Sequence, residues 1–255
     1  MTRGPDPTQP PRDKPIQSRH HVIMIMQRMP PVVLAPVYAA QALGLVLRAE
    51  RLPEAAGPRE GSVGQGERLR LLVLGDSSGA GVGVAHQDDA LIGQILRHMT
   101  PFARIDWRVI ARSGVTTRVA RSNLQGQGQF DVAVLALGVN DVLRHTSAAQ
   151  FFTAQTGLMQ DLHRNHGVGC ILASAVPPLG AFPAFPEPLR THLGRRATRL
   201  DRIVQQVCAS ENATHVGFDL PPSPDLLARD GFHPGAALYT HWGARMAGLA
   251  LRVLS

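Results

Sequence analysis

The sequence predicts an α/β fold in which a parallel sheet of five strands carries helices on both faces. Three observations predict it: short apolar runs that end in glycine or proline, stretches of helix length between them, and the alternation of the two from residue 67 onward. The chain has 255 residues, 44% of them hydrophobic, enough to fill the core of one large domain, so disorder throughout is excluded.

Residues 1–20 hold five prolines and charges of both signs without periodicity, and read as a disordered tail. From Val22 to Leu47 the chain becomes apolar, interrupted by Gln27 and Arg28, and Pro30, Pro31 and Pro36 are expected to break any helix before its second half. The uncharged part, residues 31–47, has 17 residues, at the short limit for a bilayer span. A surface or membrane-lying helix is the first reading, ahead of a true span or a cleaved signal. Pro53–Gly66 is rich in Pro, Gly and Glu and reads as a linker, which divides an N-terminal extension (1–66) from the main domain (67–255).

Leu69–Leu74 is a nearly continuous apolar run ending at Gly75, as a strand buried on both faces should be. Asp88–His98 predicts a helix capped by its aspartate. Ile105–Ala111 and Phe130–Leu137 are the second and third strands, and Ser147–His166 is a long helix. Val168–Val176 is the fourth strand and runs into Pro177-Pro178. Arg190–Glu211 is a second long helix, Thr214–Phe218 a short fifth strand, and Gly235–Leu254 a terminal helix.

Lys plus Arg number 26 against 19 Asp plus Glu, a formal charge of +7, and Lys14 is the only lysine. Such a charge invites a nucleic-acid partner, but no recognition motif or basic stretch interleaved with aromatics supports one, and the arginines are spread through helices. Two cysteines cannot build a disulfide framework or a four-cysteine zinc site. Cys170 and Cys208 read as free buried thiols. Nothing demands an oxidising compartment, so a cytoplasmic location is favoured, with membrane association through residues 31–47 as the alternative.

In a parallel sheet the working residues collect at the carboxyl ends of the strands. Three strands there run into unusual clusters: Gly75-Asp76-Ser77-Ser78-Gly79-Ala80-Gly81-Val82-Gly83, Arg112-Ser113-Gly114-Val115-Thr116 and Gly138-Val139-Asn140-Asp141. A fourth cluster, Asp230-Gly231-Phe232-His233-Pro234, lies near the C-terminus. No Lys-Ser/Thr follows the first glycines and their spacing is not G-x-G-x-x-G, so phosphate cradling is disfavoured. A serine hydroxyl needs a base, itself oriented by a third group, and Asp230 with His233 three residues on supplies that pair for Ser77. Asn140 can turn an amide N–H toward a developing oxyanion, with Gly114 offering a backbone N–H, although a turn asparagine and Asp141 as a helix cap are the plain alternatives. Asp161, His163 and His166 on one helix invite a check for metal, but two histidines at that spacing are more often a solvated face.

Taken together, GDSS at 75–78, Gly114, GVND at 138–141 and DGFHP at 230–234 resemble, in order and spacing over residues 67–255, the motif blocks of the SGNH hydrolase superfamily, the GDSL-type esterases and lipases. The resemblance implies a three-layer α/β/α sandwich with a five-stranded parallel sheet, flavodoxin-like. It implies Ser77 as nucleophile, His233 as base, Asp230 as its partner, and an oxyanion hole made by the Ser77 N–H, Gly114 and Asn140, with no metal or organic cofactor. Ser78 stands where many members carry leucine, which raises the question of which hydroxyl is poised.

The implied reaction is ester hydrolysis through an acyl-enzyme on Ser77, with a small-molecule ester as partner; short-chain or aryl esters, lysophospholipids and acetylated sugars all remain open. Acyl transfer by the same serine is the alternative reaction, and a silent lipid- or carbohydrate-binding module the alternative class. Phe182 and Phe185, in the proline-rich loop 177–188, are candidates for the wall of an acyl pocket, or else cover the core.

Overall fold

The computed structural model describes residues 31–48, 50–218 and 223–254. The expected N-terminal tail lies outside them.

Among the described residues, helix α1 (Pro31–Arg48) comes first. It is followed by β1 (Glu60–Val63), β2 (Arg68–Gly75), α2 (Leu91–Met99), β3 (Arg104–Ala111) and α3 (Thr117–Asn123). Then come β4 (Val132–Ala136), α4 (Val139–Leu143), α5 (Ala148–His166), β5 (Cys170–Ser174), α6 (Leu189–Ser210), β6 (Thr214–Val216) and α7 (Ala236–Ala250). The strands form one sheet in the order β1-β3-β2-β4-β5-β6. All neighbours pair in parallel except β1, which is antiparallel to β3.

The three layers follow from the two-residue period of a strand. Leu69, Leu71 and Val73 of β2 face the core beneath α2 and α7, together with Val132 and Val134 of β4. Leu72 and Leu74, with Ala133 and Leu135, point the other way, into the core beneath α3, α5 and α6. Both faces are buried, which is why these strands read as continuous apolar runs. The sandwich and the five parallel strands are present as expected, and a sixth joins them at the edge.

That sixth strand, β1, lies within the segment expected to be a linker. All four of its residues are exposed, so it has no apolar period to read; it is held by its ladder to β3, by Ser62 bonding Asp106 at 2.6 Å and by an Arg108–Glu60 ion pair at 2.7 Å. Residues just before it also bind the domain. Ala55 and Ala56 donate to the carbonyls of Ala80 and Ala85, and Glu54 accepts from Ser113 N–H at 2.7 Å while pairing with Arg59.

Three further expectations need correction. Helix α1 runs unbroken through Pro36, an interior proline that removes one backbone hydrogen bond, and docking on α6 compensates: Tyr38 stacks on His192 at 4.5 Å and Gln41 bonds the backbone of Glu187 and Leu189. Helix α2 begins at Leu91 after an Ala90 cap, with no side-chain cap, because Asp88 lies two residues ahead of the cap position, where its side chain meets His86 at 3.0 Å. Cys208 is buried, its thiol pushed up to about 12 by burial and the Asp201 charge, but Cys170 at the start of β5 is only half-buried. Among the described residues no helix is long and apolar enough to cross a membrane.

Candidate active site

The loop after β2 brings Ser77 to the carboxyl edge of the sheet. A Cβ on Gly75 would lie 2.8 Å from the Cα of Gly79, so the loop can fold back on the strand only with glycine at both places. The Asp76 N–H continues the ladder to the Ala136 carbonyl, and Val82 N–H closes the loop on the Ser77 carbonyl at 3.0 Å. From the terminal helix, the buried Tyr239 hydroxyl reaches the carbonyls of Val82 (2.8 Å) and Ser78 (3.0 Å), pinning the loop from below.

The loop before α7 carries the other half. His233 Nδ1 lies 2.6 Å from Asp230 Oδ2, and His233 Nε2 lies 3.0 Å from Ser77 Oγ. With the Nδ1 proton donated to Asp230, Nε2 is the acceptor for the Ser77 hydroxyl. The other Asp230 oxygen accepts the backbone N–H groups of Phe232 and His233, each at 3.0 Å, so the three-residue spacing builds a closed turn that orients the ring. Burial pushes the Asp230 carboxyl up, but the hydrogen bonds from the His233 ring, the two N–H groups and the imidazole charge together hold it below the usual range. It therefore stays ionised beside the histidine. The hydroxyl within reach of His233 is that of Ser77 rather than Ser78.

Gly83 locks the two loops together. Its φ is 110°, and an added Cβ would lie 2.1 Å from the carbonyl oxygen of Pro234, the residue after His233. Gly83→Ala is expected to lower the melting temperature by about 4–12 °C, from backbone strain and collision worth about 2–3 kcal/mol. Turnover should fall as His233 shifts. Gly126→Ala is the control, because Gly126 shares a positive φ of 74° with nothing within 4 Å of a Cβ. An equal loss of turnover in both variants would refute a special role for the Gly83 contact.

Asn140, in the first turn of α4, does not satisfy its own turn. Its Nδ2 donates to Asp76 Oδ2 at 3.2 Å, while Asp76 Oδ1 accepts from Ser78 N–H at 3.0 Å. Asp141 is not a helix cap either. It is buried inside α4 and accepts from Thr117 N–H and Oγ1, both at 2.9 Å, and from Thr146 Oγ1 at 3.2 Å, tying the start of α3 to α4. Gly114 sits in the turn before α3 with φ 80°, and neither it nor Asn140 is among the residues that line the cavity described below.

The sequence motifs assign Asp76 no role. Burial raises its carboxyl to about 7 against the opposing hydrogen bonds from Ser78 and Asn140, with the nearby Asp141 charge adding to the rise. The available signal was its place beside Ser77 at a buried strand end, where a carboxylate must have partners.

A cavity of about 430 Å³ opens from Ser77 and His233 along the ends of β4, β5 and β6. Phe182 lines it. Phe185, expected to share that role, is not among the lining residues; it is buried in the core, edge-on to Phe232 at 5.6 Å. A polar cluster that sequence reasoning missed also lines the cavity: Asp201 accepts from Val176 N–H (2.9 Å), His215 Nε2 (2.9 Å) and Gln205 Nε2 (2.9 Å). The candidate metal group is otherwise engaged. Asp161 pairs with Arg121, His163 contacts the carbonyls of Val168 and Glu211, and His166 that of Gly128.

Residues 73–241 match the model of the GDSL-like Lipase/Acylhydrolase family. A GDSL-like esterase of Mycobacterium tuberculosis is 26% identical over 198 residues, which cover 72% of this chain and 62% of that protein. The chain thus spans less than two thirds of that curated relative. Among solved structures, the lipase/acylhydrolase from Enterococcus faecalis superposes with a TM-score of 0.59 at 20% identity, covering 72% of this chain and 96% of that one. The psychrotrophic esterase EstA from Pseudoalteromonas gives a TM-score of 0.57 at 20% identity, covering 72% and 98%. These two share the fold. With about two thirds of its length matched, including the Ser77 loop, the chain belongs to the GDSL-like lipase/acylhydrolase family.

Proposed function

We propose that this protein hydrolyses carboxylic esters of small molecules through an acyl-enzyme on Ser77. The observation that carries the reading is the single chain of contacts from Asp230 through His233 to Ser77, a serine 156 residues from the histidine in sequence. Ser77 Oγ attacks the ester carbonyl carbon as its proton passes to His233 Nε2, and the oxyanion collapses as that proton moves to the departing alkoxide oxygen. Water then attacks the acyl carbon, gives a proton to His233, and the acid leaves as Ser77 recovers its hydrogen. The Ser77 N–H, the Gly114 N–H and the second Asn140 amide hydrogen serve as oxyanion donors. None of these steps calls for a metal or organic cofactor. A fluorophosphonate probe tests the reading: it should label the wild-type chain at Ser77, and an unlabelled chain would refute an activated serine.

The two phenylalanines separate pocket from core. Phe182→Ala is expected to shift acyl-chain preference across a series of nitrophenyl esters. Phe185→Ala should leave that preference in place and cost about 3 kcal/mol of stability by opening a cavity. An unchanged chain-length profile in Phe182→Ala would remove it from the pocket.

A further inference from the structure

A second cleft, of about 290 Å³, lies between α1, α6 and the turn after α4. His192, Arg195, Arg196 and Arg199 stand on one face of α6 at i, i+3, i+4 and i+7 and line it, together with Tyr38 and Thr146. No carboxylate lines it among the described residues. Arg196 is half-buried and spends its hydrogen bonds on the carbonyls of Val142 and Thr146, which fixes the guanidinium without neutralising it. Arg195 and Arg199 are exposed at the rim. The acids of this region are engaged elsewhere: Glu187 with Arg190 and Thr191, and Asp201 inside the other cavity. His192 is stacked between Tyr38 and His145, and burial, with the charges of His145, Arg196 and Arg195, lowers its affinity for a proton.

Like charges crowded on one helix face repel, and planar guanidinium forks suit phosphate oxygens. The cleft therefore has the chemistry of a phosphate site. Its wall supplies the source of that phosphate. Helix α1 turns Leu34, Tyr38, Gln41 and Leu45 toward the protein, yet Val33, Leu43, Val46 and Leu47 are exposed on its outer side, and no charge occurs between Pro31 and Leu47. A helix apolar on both sides beside a basic cleft fits a membrane interface, where acyl chains meet the outer face and head groups the arginines.

We propose that the Arg195–Arg196–Arg199 cleft binds the phosphate of an anionic lipid head group while the outer face of α1 lies in the bilayer interface. The test is cosedimentation of the full chain with vesicles of phosphatidylcholine alone, or with one part in three phosphatidylglycerol. The wild type should bind the anionic vesicles selectively at about 0.1 M salt and release them near about 1 M. The double variant Arg195→Gln/Arg199→Gln should bind roughly 25-fold more weakly, about fivefold per arginine. Arg97→Gln/Arg164→Gln, which removes equal charge from α2 and α5, should bind as the wild type does, and matching melting temperatures establish that all are folded. Equal binding by the two double variants, or no preference for anionic vesicles, overturns the proposal. So does arginine-dependent binding of glycerol 3-phosphate without vesicle binding, or a change of oligomeric state in its place.

Discussion

Ser77→Ala is expected to cut turnover of a short-chain nitrophenyl ester by at least about 10⁴-fold while leaving the melting temperature unchanged. The size follows from the role: His233 Nε2 is 3.0 Å from this hydroxyl, and without it the base has no nucleophile to activate. The fold should tolerate the change, because the loop is held by backbone contacts, from Val82 N–H to the Ser77 carbonyl and from Tyr239 to the carbonyls of Ser78 and Val82. Ser78→Ala should keep activity within a few-fold of wild type. If loss of activity instead followed Ser78, the attacking hydroxyl would have been misassigned. If Ser77→Ala retained a tenth of wild-type turnover, the acyl-enzyme mechanism would be refuted.

Asn140→Ala should lower turnover about 10²- to 10³-fold, or about 2.7–4 kcal/mol of transition-state stabilisation, with little change in KM. Asp76→Asn should produce a loss of the same kind from one residue further away. An asparagine there offers one acceptor oxygen to two donors, so either the Asn140 amide or the Ser78 N–H beside the nucleophile loses its partner and must shift. Stability carries a separate signature. The native Asp76 carboxyl titrates at about 7 against an ordinary 3.8, so the native state binds the proton more tightly than the unfolded chain. Below the ordinary value both states are protonated and no difference arises. As pH rises toward 7 the unfolded chain ionises first, and wild-type stability falls by about 1.4 kcal/mol per unit across that window. Asp76→Asn lacks this slope. Urea unfolding at pH 5 and pH 8 should therefore show the variant gaining on the wild type as pH rises, and parallel behaviour would contradict the buried acid.

The legible parts of the fold were those whose burial leaves a period in the sequence. Leu69–Leu74 and the core of 130–137 were readable because both faces of those strands are covered. Strand β1 was not, since an exposed edge strand of sequence EGSV is held by backbone pairing and ion pairs that impose no apolar pattern. The short helices α3 and α4 escaped for a related reason: five to seven residues span too few turns to show a stripe. In the site, Ser77, His233 and Asp230 were readable from spacing and motif order, while Asp76 and the Asp201–His215 pair were not. Their partners are set by packing between separate elements.

The sequence by itself determined the alternation that makes the sandwich, the turn that joins Asp230 to His233, and the serine loop placed at a strand end. Each of these is local, because periodicity and turn chemistry act over a few residues. Only the tertiary structure decided that His233 meets Ser77, that Asn140 is steered by a buried Asp76, that Phe182 lines the cavity and Phe185 the core, and that the arginines of α6 share a cleft with α1. Those contacts join residues from separate elements, and their distances follow from how sheet and helices close on one another, which no single stretch of chain encodes.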